Sequence, residues 1–388
     1  MTRSDEILST FQDIGEMSLR NWRERFPDYR PLGFLSGYVP EELFHAAGFS
    51  PVFLLHGREG CGHAQAHLPG FTCWVVRSAL DRALSGELSA LAGVAFAHTC
   101  DAVQALADLW PRVVPNPPAL YVAMPHHLAA PAARPYLLAE LQRLRERLEQ
   151  ITDRALSDEA LRESIALHNR TRALVRQLYE VADRLPAPAL HTALQAAFLM
   201  PKEVYNPLMA DLLDTLEAHA ELALAKGEDP KGSPKFLGSQ HHHRPRLFVV
   251  GPELADPTLY QVIADAGGRV VGDLLDLGQR YFARAVGETG GPLEALAEHT
   301  LAMLPTPTKY HPQRRREAHL LDMVSAGEAD GVIFARQKFC DPHGFDVVTL
   351  KTALDKANVP HLLVELEQTP HIGQMRTRVE AFLEMIGA

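Results

Sequence analysis

Four cysteines, at positions 61, 73, 100 and 340, carry the most reactive chemistry in this sequence. Two of them follow similar stretches far apart in the chain, GVAFAHTCD (Gly93 to Asp101) and GVIFARQKFCD (Gly331 to Asp341). Each stretch is a short apolar run that reads as a buried strand, then a cysteine, then an aspartate. In open α/β sheets, ligands sit in the crevice outside the carboxyl ends of the strands. Cys100 and Cys340 are therefore expected to face one site between two domains. Cys73 is expected in the first turn of a helix over Thr72 to Leu91, where partial positive charge favours a thiolate. Cys61 lies in a glycine-rich loop, Gly57 to Gly70, and is the odd one out. Three thiolates from Cys73, Cys100 and Cys340 suit a [4Fe–4S] cluster with one iron left open. Zinc on three cysteines is the competing metal, and four buried thiols without any metal is the plain alternative.

Other motifs carry less. No CxxC pair occurs, so neither a zinc ribbon nor a thioredoxin-like motif is expected. GREGCG lacks the Lys-Ser/Thr ending of a phosphate loop, GPELAD is not GxGxxG, and no GxSxG elbow is present, which disfavours ATP, NAD and serine-hydrolase chemistry. His241 to His243 are adjacent, and three neighbouring side chains cannot all reach one ion from a regular element. Bulk properties narrow the class further. The 388 residues exceed one ordinary core and suggest two or three domains. A formal net charge of −10 argues against nucleic acid and anionic membrane surfaces as partners. No apolar leader and no membrane-length apolar run is seen, so a cytoplasmic protein is expected.

The elements that must position these residues follow from periodicity. Asp5 to Phe26 reads as one amphipathic helix. Strands are expected at Leu32–Ser36, Pro51–Leu55, Gly93–Ala97 and Ala119–Ala123, with helices between them, giving a parallel doubly wound sheet over residues 1–130. Residues 131–225 carry long helical periodicity and read as a helical segment packed with that domain. Residues 226–245, rich in Pro, Gly, Lys and Ser, read as a linker. A second α/β domain is expected over 246–388, with strands Arg246–Val250, Arg269–Gly272, Gly331–Ala335 and His361–Glu365, and a last helix near Arg376–Ile386.

The stretches GFLSGYVPEELFHAAG, FTCWVVRSALDRALSGEL, GVAFAHTCDAVQAL, DGVIFARQKFCDPHGFDVVTLKTAL and GQMRTRVEAFLEM resemble, in order, the iron–sulfur subunits of 2-hydroxyacyl-CoA dehydratases and benzoyl-CoA reductases. The resemblance runs from residue 33 almost to the C-terminus. It implies two Rossmann-like domains with one [4Fe–4S] cluster in the crevice between them, held by Cys73, Cys100 and Cys340, with the fourth iron open. Ser36 matches a position near the cluster, where part of the family carries cysteine, and is read as a hydrogen-bond donor to the open iron's ligand. Glu42 and His45 share a helical face just beyond it; proton handling and a structural pair of capping glutamate and partly buried histidine both fit. Arg77 and Lys338 are read either as neutralising cluster or CoA phosphate charge or as solvated surface. Gln374 and Arg376 receive no chemical role. The resemblance further implies an acyl-CoA substrate, a homologous second subunit or homodimer, and a separate ATP-dependent iron–sulfur activator that delivers a low-potential electron and yields a ketyl-type radical. The C-terminal GQMRTRVEAF run is closer to the dehydratases, whereas Lys309-Tyr310 is closer to the reductases. An electron-transfer or structural metal-binding protein without its own substrate is the alternative, with Cys61 as fourth ligand.

Overall fold

The computed structural model describes residues 2–55, 61–225, 244–367 and 371–387. Eight strands form in them: β1 (Pro31–Leu35), β2 (Ser50–Phe53), β3 (Val94–Ala97), β4 (Ala119–Val122), β5 (Arg246–Gly251), β6 (Arg269–Leu275), β7 (Gly331–Gln337) and β8 (His361–Leu366). They make two four-stranded sheets, ordered β2-β1-β3-β4 and β6-β5-β7-β8, with all pairs parallel. The central strands are buried except at Arg246 of β5 and Arg336 of β7, as parallel strands covered on both faces must largely be. The edge strands β4 and β8 alternate or loosen, and Tyr121 on β4 reaches solvent. The expected fold class, α/β with two parallel sheets and a long helical segment, is the observed one.

Parallel strands need crossovers, and helices supply them. In chain order these are α1 (Arg3–Glu16), α2 (Leu19–Arg25), α3 (Glu41–Ala46), α4 (Trp74–Leu84), α5 (Asp101–Val113), α6 (Ala133–Thr152), α7 (Asp158–Glu180), α8 (Ala187–Leu199), α9 (Lys202–Ala225), α10 (Thr258–Asp265), α11 (Gln279–Phe282), α12 (Pro292–Ala302), α13 (Arg316–Ala326), α14 (Asp341–Lys356) and α15 (Ile372–Gly387). The helices between the sheets touch both halves. Helix α7 packs on α3 and on α11 and α12, while α8 packs on β2, α1 and α10. A single apolar cluster consequently includes Phe34 of β1, Phe198 of α8 and Val249 of β5. A smaller cluster around Phe248, Phe334 and Leu350 covers the other face of the second sheet.

Two helices differ from their sequence expectation. The single helix over Asp5–Phe26 is two, because Met17 is extended and Ser18 restarts the chain as a cap that accepts from Asn21 N–H at 3.2 Å. The helix over Thr72–Leu91 begins only at Trp74, with Cys73 as its N-cap, and ends at Leu84. Gly86 follows with φ 82°, the left-handed turn that commonly stops a helix. The expected linker lies outside the described residues except for Arg244 and Pro245, as do His241 to His243 and the start of the Gly57–Gly70 loop. No helix among the described residues is long and apolar enough to cross a membrane.

Candidate functional site

Each sheet has one point where the strand order reverses direction, between β1 and β3 in the first and between β5 and β7 in the second. Chains leaving neighbouring strands there part to opposite faces and leave a crevice at the carboxyl ends. Ser36 follows β1 and Cys100 lies just beyond β3. Glu253 and Cys340 stand at the corresponding places beyond β5 and β7. The two halves thus offer the same two positions to the site, a polar oxygen group after the first strand and a thiol after the third.

All three cysteines of interest are helix N-caps: Cys73 of α4, Cys100 of α5 and Cys340 of α14. No side-chain capping hydrogen bond closes at any of them. Their sulfurs nonetheless face amide N–H groups of Val75 and Val76, of Ala102 and Val103, and of His343, which favour the thiolate. The helix starts therefore direct partial positive charge at the sulfurs from both halves of the molecule. Cys73 and Cys340 are in hydrogen-bond contact, and Cys73 interacts by charge with Cys100. Contact with Cys340 holds Cys73 down at about 7, against an ordinary thiol near 9. The same contact, with burial, pushes Cys340 up, so Cys340 keeps the shared proton. Burial raises Cys100 to about 11. Among the described residues, no three His, Cys, Asp or Glu side chains form a group able to hold a metal ion.

Cys61 is buried and belongs to another environment, formed by Trp74, Arg77 and Asp81 of α4. Burial raises its pKa. Arg77 donates to the Thr72 carbonyl at 3.0 Å, bracing the turn that presents Cys73. Lys338 pairs with Glu367 at 2.8 Å on an open surface. Gln374 is exposed, and Arg376 pairs with Asp265 at 3.2 Å.

Backbone strain marks both sides of the crevice. Ser36 has φ 97° and Phe339, just before Cys340, has φ 65°. Such conformations cost about 1–3 kcal/mol for residues with side chains and cluster at functional sites. The strained Ser36 accepts from Tyr38 N–H at 3.2 Å, which leaves its own O–H to donate elsewhere. Gly37 lies against the second half; a Cβ there would stand 3.2 Å from the Asp276 carbonyl oxygen and 3.2 Å from Leu277. The Asp276 carboxylate in turn bonds His343 of α14 at 3.2 Å. Burial would raise that carboxyl, but His343 overrides it and holds Asp276 at about 2. The Ser36 turn and the Cys340 helix are thus fixed to each other through Asp276.

Glu42 and His45 join a different set of partners. Glu41 and Glu42 are only 1% and 2% exposed. Glu41 pairs with Lys202 at 2.8 Å and accepts from Tyr281, while Glu42 pairs with Arg172. Burial pushes Glu42 up, and Arg172, with His168 and His299, overrides this to hold it at about 2. His45 contacts Ser164 at 2.9 Å and Glu203 at 2.8 Å. These contacts tie α3 to α7, α9 and α11.

Two side chains near the site received no chemical role in the sequence. Glu253 interacts by charge with Cys73, Cys100 and Cys340, and burial with nearby Asp276 raises it to about 8. Its only sequence signal is its place after β5, matching that of Ser36 after β1. Lys309 is 5% exposed, and its ammonium has no hydrogen-bond partner among the described residues. Burial lowers it to about 8, against the opposing pull of Cys100.

Known proteins align with this arrangement over almost all its length. The chain is 26% identical over 393 residues to the (R)-phenyllactyl-CoA dehydratase beta subunit of Clostridium sporogenes, covering 100% of both chains. It is 27% identical to a benzoyl-CoA reductase subunit of Thauera aromatica, over 94% of this chain and 92% of that one. It is also 27% identical to the (R)-2-hydroxyglutaryl-CoA dehydratase beta subunit of Acidaminococcus fermentans, over 92% of each. The family model for the D-component of 2-hydroxyglutaryl-CoA dehydratase matches residues 36–386, a span that opens on Ser36 and contains all three N-cap cysteines, and the chain belongs to that family.

Proposed function

We propose that this chain is a subunit of a 2-hydroxyacyl-CoA dehydratase, and that Cys73, Cys100 and Cys340 hold one [4Fe–4S] cluster. The observation that carries this reading is that Cys100 and Cys340 stand at the two strand-order switch points, while the third N-cap thiol, Cys73, contacts Cys340 and interacts by charge with Cys100. The donor set fits the group. A cluster takes its cysteines on different irons, so it does not need them gathered around a single ion, and hydrogen bonds to the sulfurs are one of the protein's levers on its potential. Amide N–H groups at three helix starts are suited to that task.

When bound, the cluster supplies one-electron chemistry and an iron open to an oxygen ligand. The chain's own residues do the rest. Ser36, whose Oγ accepts from Tyr38 N–H just past β1, is the hydroxyl assigned to orient an oxygen of the substrate. Glu253, half-buried beyond β5, is the carboxyl assigned to hold a proton there. Packing of α3, α7, α8 and α11 between the sheets keeps water from the rear of the site, which suits a reactive radical on an acyl-CoA thioester. The finer reading is that a single low-potential electron reaches that thioester as a ketyl-type radical, delivered by a separate ATP-dependent iron–sulfur activator. The relatives are named as subunits of larger enzymes, which supports a second subunit as partner. Reduction of an aryl-CoA thioester is the second reading, favoured by the benzoyl-CoA reductase relative.

The test is iron and sulfide content after anaerobic purification, with Cys73→Ala, Cys100→Ala, Cys340→Ala and Cys61→Ala alongside. Equal iron and sulfide, lost in the first three variants and kept in Cys61→Ala, is expected. Loss in all four points to a closed, electron-transfer cluster. Absence of iron after reconstitution removes the proposal. With the partner and activator added, water loss from 2-hydroxyacyl-CoA thioesters separates dehydratase from ring reduction of benzoyl-CoA.

A further inference from the structure

A small cavity of about 30 Å³ lies where the carboxyl ends of strands from both sheets meet α8. Phe53 of β2, Leu254 beyond β5, and Leu275 and Leu277 at the end of β6 form its walls, and Leu194 and Phe198 of α8 complete it. Both halves of the chain and the helical segment between them therefore build it.

The cavity adjoins the crevice through its own walls. Leu277 lies against Gly37, one residue past Ser36; a Cβ on that glycine would stand 3.2 Å from Leu277 Cδ2. Asp276, between the two wall leucines, bonds His343 of α14 at 3.2 Å. Half-buried Glu253, the carboxyl assigned above to hold a proton, lines the same cavity.

Other polar neighbours are engaged in holding the walls. The Gln195 amide donates to the carbonyls of Leu254 and Ala255 at 3.0 and 2.7 Å, and His191 Nε2 contacts the Leu254 carbonyl at 3.3 Å. His191 Nδ1, buried and without a partner among the described residues, is the exception. The remaining interior is mostly hydrocarbon, as small-molecule sites at strand carboxyl ends commonly are. Size then sets what fits. An apolar cavity of about 150 Å³ accommodates benzene, whereas about 30 Å³ takes one or two groups the size of a water or a methyl.

We propose that this cavity receives the end of the substrate's acyl chain and restricts the enzyme to short aliphatic 2-hydroxyacyl thioesters, excluding those that carry a phenyl ring. This specificity rests on the acyl-CoA activity proposed above. Loss of water from such a thioester takes the hydroxyl from C2 and a hydrogen from C3, so the chain beyond C3 must lie next to the group that holds the proton. Glu253 on the cavity wall meets that requirement. The same size limit counts against an aryl-CoA substrate.

The test is titration calorimetry on the anaerobically purified full chain with its partner subunit. The probes are butanoyl-CoA and 3-phenylpropanoyl-CoA, which lack the 2-hydroxyl and cannot lose water, with free CoA as reference. Wild type is expected to bind butanoyl-CoA roughly tenfold more tightly than 3-phenylpropanoyl-CoA. Leu277→Ala, at a half-buried wall position, is expected to narrow that gap by about threefold or more by admitting the ring. Leu194→Phe, which fills the cavity, is expected to weaken butanoyl-CoA roughly tenfold. Both variants should leave free CoA unchanged. Equal affinities for the two thioesters in wild type, or affinities that neither variant moves, overturn the proposal and leave the cavity to an ordered water. Failure of both thioesters and of free CoA to bind removes the acyl-CoA reading itself, and this specificity with it.

Discussion

Cys73 and Cys340 are in contact although they come from opposite halves of the chain, and that contact makes a residue-scale outcome measurable. Treating iron-free protein with a mild oxidant should remove two hydrogens from this pair and join the halves by a disulfide. Peptide mapping under non-reducing conditions should recover Cys73 linked to Cys340, with Cys61 unlinked because it is buried against α4. Recovery of Cys61 in the major linkage would refute the arrangement. The thiolate of Cys73 provides the nucleophilic partner, since it is the member of the pair held down at about 7.

Helix α3 shows what an element adds. Its first turn carries two glutamates, and acidic groups at a helix start are favourable by themselves. Packing against α7, α9 and α11 turns them into buried ion pairs with Lys202 and Arg172. Breaking a buried pair by removing one partner leaves an uncompensated charge and costs about 3–5 kcal/mol. Glu42→Ala should lower unfolding free energy by that amount in denaturant titration, and Glu42→Ala with Arg172→Met should recover part of it. A Glu42→Ala loss below about 1 kcal/mol would contradict the burial of this pair. The sequence shows the glutamates and the helix start plainly. It does not show Arg172, 130 positions on, because an ion-pair partner is fixed by how two helices cross and not by local spacing.

At the scale of the whole molecule, two buried histidines, His168 and His191, and the half-buried His299 set the response to acid. Burial holds each at about 4, below the ordinary 6.5. Between pH 6.5 and 4 the unfolded chain binds more protons than the folded one, so stability falls as pH drops through this window and levels off below it. A tenfold difference in proton affinity between the two states is worth about 1.4 kcal/mol, so one such histidine contributes up to roughly 3 kcal/mol at neutral pH. His191 is the cleanest probe, with the Leu254 carbonyl as its hydrogen-bond partner at 3.3 Å. Urea unfolding at pH 7 and pH 5 should show a larger loss in wild type than in His191→Gln, by about 2 kcal/mol in all, since the difference accrues mainly over the roughly 1.5 pH units below 6.5. Parallel slopes would contradict the buried neutral ring.

The sequence by itself determined the eight strands, their parallel class and the three cysteines at strand or helix ends. Those features are local, since apolar β-branched runs and helix starts are written in consecutive residues. It missed the break at Ser18 and the end of α4 at Leu84, where one capping residue and one glycine decide and periodicity runs on regardless. Tertiary structure decided which groups meet: Cys73 with Cys340, and Gly37 with Asp276. It also supplied Glu253, whose place after β5 acquires meaning only when strand order makes it the counterpart of Ser36. Strand order and the contacts between the two halves are long-range, and pairwise distance between remote residues is information that no local stretch of chain carries.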